Sequence, residues 1–250
     1  MSQLNKDGLA KALILLGFVL LLFSLIITDQ LTLYVHPRII TLIELSDGLL
    51  FMMFLLQCWN LKKTWNNSTD EPKQCDRYWR YLPFVFTLLI ALILPNTSLN
   101  ASLVNNKGLN NQIITEISKK DYRPLAPELR KTNLIKVSDN NFIEVMSELY
   151  HFPQEYVGKE IDMKGFIFKD ASTPQDHFSL IRFVVGCCVA DALPSGVLCE
   201  INNAAEYTNG SWYQIQGIIE TSEHEGKLVP VVKVTWIKPI TANTTPYVFP

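Results

Sequence analysis

Residues 9–28 read L-A-K-A-L-I-L-L-G-F-V-L-L-L-F-S-L-I-I-T, twenty positions with a single charge at Lys11. A run this long and this apolar predicts a helix crossing the roughly 30 Å of bilayer hydrocarbon, which takes about 20 residues. Lys11 lies near its start, where a long side chain can reach the headgroups. A cleaved signal peptide is the competing reading. The run is longer than a signal's apolar core, however, and no small-x-small site follows it. The fold is therefore expected to begin as a membrane anchor.

Two further apolar runs follow within the first hundred residues. Tyr34-Val-His-Pro-Arg38 leads into the second, with Pro37 suited to the first helical position, where its missing N–H costs nothing. This run, residues 39–59, carries Glu44 and Asp47, three apart and so on one helical face. Starting the helix after Asp47 would leave too few residues to cross. Either the two carboxylates face a partner helix or a polar path, or Glu44 sits near the interface and Asp47 is protonated or packed internally. The third run, residues 81–94, stops at Pro95 and can just cross when Trp79 and Leu99 are counted at its ends. The spans are expected at about 9–28, 38–59 and 79–97. Lys62, Lys63, Lys73, Arg77 and Arg80 lie between the second and third, which places that loop in the cytoplasm. Cys75 in it is then a reduced thiol. Three spans put everything downstream outside the cell.

The division expected is a transmembrane region at 1–99, a linker at 100–137 and a small extracytoplasmic domain at 138–250. The linker opens rich in Asn and Ser, with a short possible helix at 112–119 and an extended Tyr122-Arg-Pro-Leu-Ala-Pro127 connector. Ser138 or Asp139 is placed to cap a helix whose apolar face is Phe142, Val145 or Met146, and Leu149. Strands are expected at 160–169, 178–188, 195–202, 211–220 and 227–238, separated by turn residues such as Pro194-Ser-Gly196 and Asn209-Gly210. Five strands in so short a stretch suit an OB-like barrel. Gly165 and Gly217 fall where a small barrel must bend. The fold class expected is thus an α+β membrane protein.

The charge balance excludes a function. From Asp121 onward there are eleven Lys/Arg against sixteen Asp/Glu. An acidic domain repels a phosphate backbone, so nucleic acid is not an expected partner. Five cysteines, Cys58, Cys75, Cys187, Cys188 and Cys199, are too few and too odd a number for a disulfide scaffold. No C-x-x-C or H-x-x-x-H spacing occurs. Neither does G-x-S-x-G, H-E-x-x-H or a phosphate loop, so no enzyme is expected and no catalytic residue is assigned.

The stretch that stands out is Arg182 to Gly196, R-F-V-V-G-C-C-V-A-D-A-L-P-S-G. Adjacent strand residues point to opposite faces, so Cys187 and Cys188 can share an ion only if the ladder breaks there. Gly186 could supply a bulge, and Asp191 could swing back from the turn. Two thiolates and a carboxylate suit zinc, with a fourth ligand from His36, His151 or His177. Two alternatives stand beside this. In the first, the cysteines simply pack as small apolar residues. If 190–195 forms the hairpin loop, Cys188 also lies opposite Cys199, near disulfide range.

Y-V-H-P-R, R-F-V-V-G-C-C-V-A-D-A, the Tyr156–Phe168 segment Y-V-G-K-E-I-D-M-K-G-F-I-F and the terminal P-Y-V-F-P together resemble the YcgQ-like bacterial membrane family, permease-subunit proteins of unknown function. The likeness covers nearly the whole chain. Its pattern includes His36, Pro37, Arg38, Arg182, Cys187, Cys188, Ala190, Asp191 and Ala192, but not Glu44, Asp47 or Cys199. The resemblance implies a multi-span permease as partner, and through the family's association with zinc-responsive genes it implies metal handling. The expected function is a multi-pass, cell-membrane accessory subunit of a permease for zinc or a small solute. The rival is a stand-alone, membrane-tethered module that binds an extracellular ligand.

Overall fold

The computed structural model describes residues 6–65, 78–93, 104, 123–170, 173–224, 226–241 and 247–250. Lys73, Cys75 and Arg77 of the basic loop and the short helix expected at 112–119 lie outside these residues. The chain divides into two compact units, Met1–Thr97 and Ser98–Pro250.

The first unit holds α1 (Lys6–Ile27), α2 (Pro37–Trp65) and α3 (Leu82–Ile93). Pro37 is the first residue of α2, as its fixed φ and missing N–H favour. Asp7–Ile27 and Pro37–Lys63 are long and apolar enough to cross a membrane. Most of their apolar side chains are not core: Leu13 is 59% exposed and Leu42 62%. A soluble helix would hide such a surface, whereas lipid accommodates it. Polar ties join the helices near the start of α1. Gln57 Nε2 donates to the Gly8 carbonyl (3.2 Å) and Tyr81 Oη donates to Asp7 Oδ1 (2.6 Å). The third span is not reached at its expected length. At 12 residues α3 runs about 18 Å, short of the roughly 30 Å required. The residues after Ile93 lie outside those described.

The second unit is a closed barrel. Its strands are β1 (Leu134–Lys136), β2 (Glu160–Phe168), β3 (His177–Val184), β4 (Leu193–Glu200), β5 (Trp212–His224), β6 (Lys227–Pro239) and β7 (Tyr247–Val248). The sheet runs β1-β2-β5-β6-β4-β3-β7, and β2 also pairs with β3, closing five strands into a ring. Most pairs are antiparallel, but β4 and β6 run parallel, so the barrel is mixed. The two glycines act where closure demands it. A Cβ at Gly165 would lie 2.7 Å from the Ile181 carbonyl oxygen, and Gly217 sits at a register shift in the β5–β6 ladder.

Inward residues Ile161, Met163, Ile167, Phe178, Leu180, Val197, Cys199, Ile215, Ile219 and Val232 fill the barrel. One end is closed by α5 (Phe142–His151), whose Phe142, Val145, Met146 and Leu149 join the same core. That face follows the predicted helical period. The cap differs from the expectation: Asn141, not Ser138 or Asp139, precedes the helix. Ser138 donates to Asn141 Oδ1 through both its backbone N–H and its hydroxyl, while Asp139 is taken by Arg182.

Part of the stretch assigned to the linker belongs to this unit. α4 (Ala126–Lys131) is followed by β1, which pairs parallel with β2. Lys159 Nζ donates to the carbonyls of Leu129, Arg130 and Thr132 at 2.8, 2.7 and 2.7 Å, satisfying the orphan acceptors at the end of α4. A second apolar cluster lies apart from the main core, with Phe166, Phe168, Ile181, Phe183 and Tyr247 among its buried members. With β7 paired to Phe183 and Val184, β3 is buried on both faces. This explains why the sequence there runs almost without alternation.

Candidate functional site

The β3 ladder stops at Val184, paired with Leu193. Cys187 and Cys188 therefore lie in the connection, not on the strand, and the expected extension to residue 188 is corrected. Asp191 is what closes the connection. Its Oδ1 accepts the Gly186 N–H (3.0 Å) and its Oδ2 the Cys187 N–H (2.7 Å), while its own N–H donates to the Cys188 carbonyl (3.0 Å). Residues Val189–Asp191 form a short 3-10 turn. Backbone donors that would have continued the ladder are spent on a carboxylate, so the chain leaves the sheet.

This bend brings the two thiols and the carboxylate together. One ligand atom each from Cys187, Cys188 and Asp191 lie within 4.8 Å of one another. Cys187 is exposed, and Cys188 and Asp191 are half-buried. A hydrogen bond to the Asp191 carboxylate, helped by one to Cys188, pushes the Cys187 thiol up to about 11. Burial opposes ionisation of Asp191, but the Cys187 thiol and the backbone N–H groups of Cys187, Gly186 and Cys188 outweigh it. They hold the carboxyl below the usual range.

The disulfide alternative rested on a register that does not exist. Cys199 stands opposite Phe178 on β3 and Val232 on β6. It is fully buried, its thiol pushed up by desolvation, and it packs as an apolar residue. Cys58, Cys187, Cys188 and Cys199 are all free thiols.

Within the barrel unit, His151 and His177 do not join the loop. His177 Nδ1 pairs with Asp176 Oδ1 (2.7 Å), and His151 Nδ1 lies against the Ser147 carbonyl (3.0 Å). His36 belongs to the first unit, buried, its Nδ1 accepting the Arg38 N–H at 3.0 Å. Glu44 and Asp47 share α2 but not an environment: Glu44 is exposed and Asp47 is buried. Asp47 Oδ1 has no hydrogen-bond partner among the described residues.

Three further motif residues lie in or beside the same strand and loop. Arg182, 2% exposed, donates to Asp139 Oδ1 (2.6 Å) and the Tyr247 carbonyl (3.4 Å), and lies 5.2 Å from the Trp212 ring centroid. It ties the segment before α5, the start of β5 and β7 to β3. Ala192 is buried in the second cluster and Ala190 is exposed on the loop.

Sequence reasoning missed a further polar cluster. Arg123 lies 3.5 Å over the Phe152 ring and bonds Glu148 (2.6 Å) and Glu155 (2.9 Å). Arg130 also reaches Glu155 (2.8 Å), and Tyr156 Oη donates to Glu148 Oε2 (2.7 Å). An acid beside the apolar helix position Leu149 was the one available sign.

Models of the DUF1980 N-terminal domain and the DUF1980 C-terminal domain match residues 10–110 and 112–250. The chain belongs to the DUF1980 family. This DUF1980 chain is 22% identical over 280 residues to the UPF0703 protein YcgQ of Bacillus subtilis, covering 96% of this chain and 98% of that one. It is also 22% identical over 268 residues to a Streptococcus mutans protein, again covering 96% and 98% of the two chains. That protein carries the provisional name of a two-component membrane permease complex subunit.

Proposed function

We propose that this DUF1980 chain is a non-enzymatic accessory subunit of a multi-span permease, with three membrane spans, an extracytoplasmic OB-type barrel and a metal ion such as zinc, or a small solute, as cargo. The reading rests above all on end-to-end similarity to the Streptococcus mutans protein named as a permease complex subunit. Glu44 adds physical support. It is exposed within an apolar span, and a charge in the hydrocarbon costs up to about 2.5–3.5 kcal/mol on insertion scales, the full value applying at the centre. A neighbouring helix of the permease that offers a donor or cation removes that cost. The OB-type assignment follows the ring order of the five strands, in which β4 lies beside β6.

Co-purification in mild detergent with the permease encoded beside this chain tests the partnership. Glu44→Leu should weaken the complex while leaving insertion intact; unchanged association would overturn the role given to Glu44, and no complex at all would overturn the subunit reading. Topology is tested by Gln175→Cys in a chain lacking Cys187 and Cys188, because Gln175 is exposed on the barrel and Cys199 is buried. Labelling by an impermeant thiol reagent is expected in intact cells. Labelling only after lysis would place the barrel inside.

A second reading, a stand-alone tethered module, has one observation in its favour. An open groove of about 430 Å³ lies between residues 150–155 and Leu228. It predicts ligand binding by the chain alone and no permease in the eluate.

A further inference from the structure

We propose that Cys187, Cys188 and Asp191 form an open three-ligand site for a thiophilic divalent cation, zinc foremost, in the β3–β4 connection. Convergence is the first ground: their ligand atoms lie within 4.8 Å of one another. Bonds of about 2.3 Å to sulfur and 2.0–2.2 Å to oxygen set the ligands of a tetrahedral zinc roughly 3.5–4 Å apart. Side-chain rotation of an ångström or less closes the site.

The second ground is the fixed carboxylate. Asp191 is held by two backbone N–H groups, at 3.0 and 2.7 Å. Each of its oxygens accepts one of them, and loss of the Cys187 thiol proton on metal binding frees a lone pair for a ligand bond. Holding the loop explains Asp191 alone, but it does not explain a pair of thiols beside it. Packing does not explain them either. Cys199 shows what a packing cysteine looks like in this barrel, fully buried among apolar side chains, whereas Cys187 is exposed.

The donor set chooses the ion. Two sulfurs and one carboxylate suit borderline-soft zinc and disfavour magnesium and calcium, which take oxygen ligands. Three protein ligands with one face open to solvent leave a fourth position for water or a small donor. Closed four-ligand sites hold structural zinc, while three-ligand sites keep an exchangeable position. The geometry therefore fits an ion that is loaded and released. The site lies wholly within the barrel unit and needs no permease, so zinc binding and permease association can fail separately.

The test uses the untagged full-length chain in mild detergent, reduced and stripped of metal. Zinc is titrated in competition with a chromophoric chelator, and cobalt(II) is added in parallel to report thiolate bonding by near-ultraviolet charge-transfer absorption. One equivalent of zinc is expected, with a thiolate band for cobalt. Cys187→Ser and Cys188→Ser should each weaken binding at least about 100-fold, beyond the 10–100-fold typical of losing an outer-shell partner. Cys199→Ala should leave affinity and band unchanged. Because Cys187 is exposed, its serine variant is expected to keep the wild-type far-ultraviolet circular dichroism, so a loss of affinity there is not a loss of fold. Equal zinc affinity in the Cys187→Ser/Cys188→Ser chain, or cobalt binding without a thiolate band, would overturn the proposal.

Discussion

The barrel unit carries two clusters of polar side chains that differ in one respect. Around Glu148 every strong group is answered by another: Arg123 takes two carboxylates, Tyr156 takes a third bond, and Glu148 is 5% exposed. Around Asp191 the backbone answers the carboxylate, while Cys187 beside it is exposed and Cys188 is half-buried. A cluster whose members satisfy one another is closed to ligands and contributes to folding. One that holds its acid on the backbone and keeps a soft donor at the surface is open to a ligand. The two should respond differently to mutation.

The largest expected effect is in the closed cluster. Glu148→Leu leaves the Tyr156 hydroxyl buried without its acceptor and takes from Arg123 its shortest ion pair, at 2.6 Å. Removing one partner of a buried pair costs about 3–5 kcal/mol. The low end is expected here, because Arg123 keeps Glu155 and is partly solvated. Denaturant unfolding of the full-length chain, followed by tryptophan fluorescence, should show it. Zinc affinity should not change. A loss below about 1 kcal/mol, the range of exposed ion pairs, would mean that the cluster is not closed in the sense argued.

What the sequence disclosed follows the same division. Barrel strands with their own period and turn residues were legible, and β2 and β6 fall close to the predicted bounds. The α5 face was legible because Phe142, Val145, Met146 and Leu149 repeat at helical spacing. β1 and β7 were not, since three- and two-residue strands have no period and exist only through their parallel pairing with β2 and β3. The end of β3 was misplaced for a different reason. The apolar run does continue past Val184, but Asp191 captures the N–H groups that the ladder needed. Those two bonds end the ladder that a Cys188–Cys199 register required and at the same time assemble Cys187, Cys188 and Asp191. The motif was visible; the bend that gives it chemistry was not.

Comparing cysteines sharpens the contrast at smaller cost. Cys199→Ala removes a fully buried sulfur from the barrel core and should destabilise by about 1 kcal/mol, in the range of single-group core deletions. Cys187→Ala, on an exposed loop position, should stay within about 0.5 kcal/mol in metal-free protein. The same unfolding experiment reads both. Equal losses would make Cys187 a packing residue like Cys199.

The smallest effect expected is a pH dependence confined to the closed cluster's rim. Hydrogen bonds from Arg123 lower the Glu155 pKa; burial opposes them, and Arg130 adds to the lowering. A carboxyl depressed in the folded state stabilises the fold at pH values above its unfolded pKa, about 4.3 for Glu. The contribution disappears as pH falls through the lower folded value, because both states are then protonated. Glu155 is 34% exposed, so solvent screening limits its share to less than about 1 kcal/mol. Wild-type chain and Glu155→Gln should therefore differ in stability at pH 7 by that small amount and converge as pH drops below about 4. The difference between the two curves isolates Glu155 from other acids such as Asp176, which its bond to His177 also holds low. A difference that persisted at pH 3 would show that Glu155 acts through packing against Arg130 and Phe152 rather than through its charge.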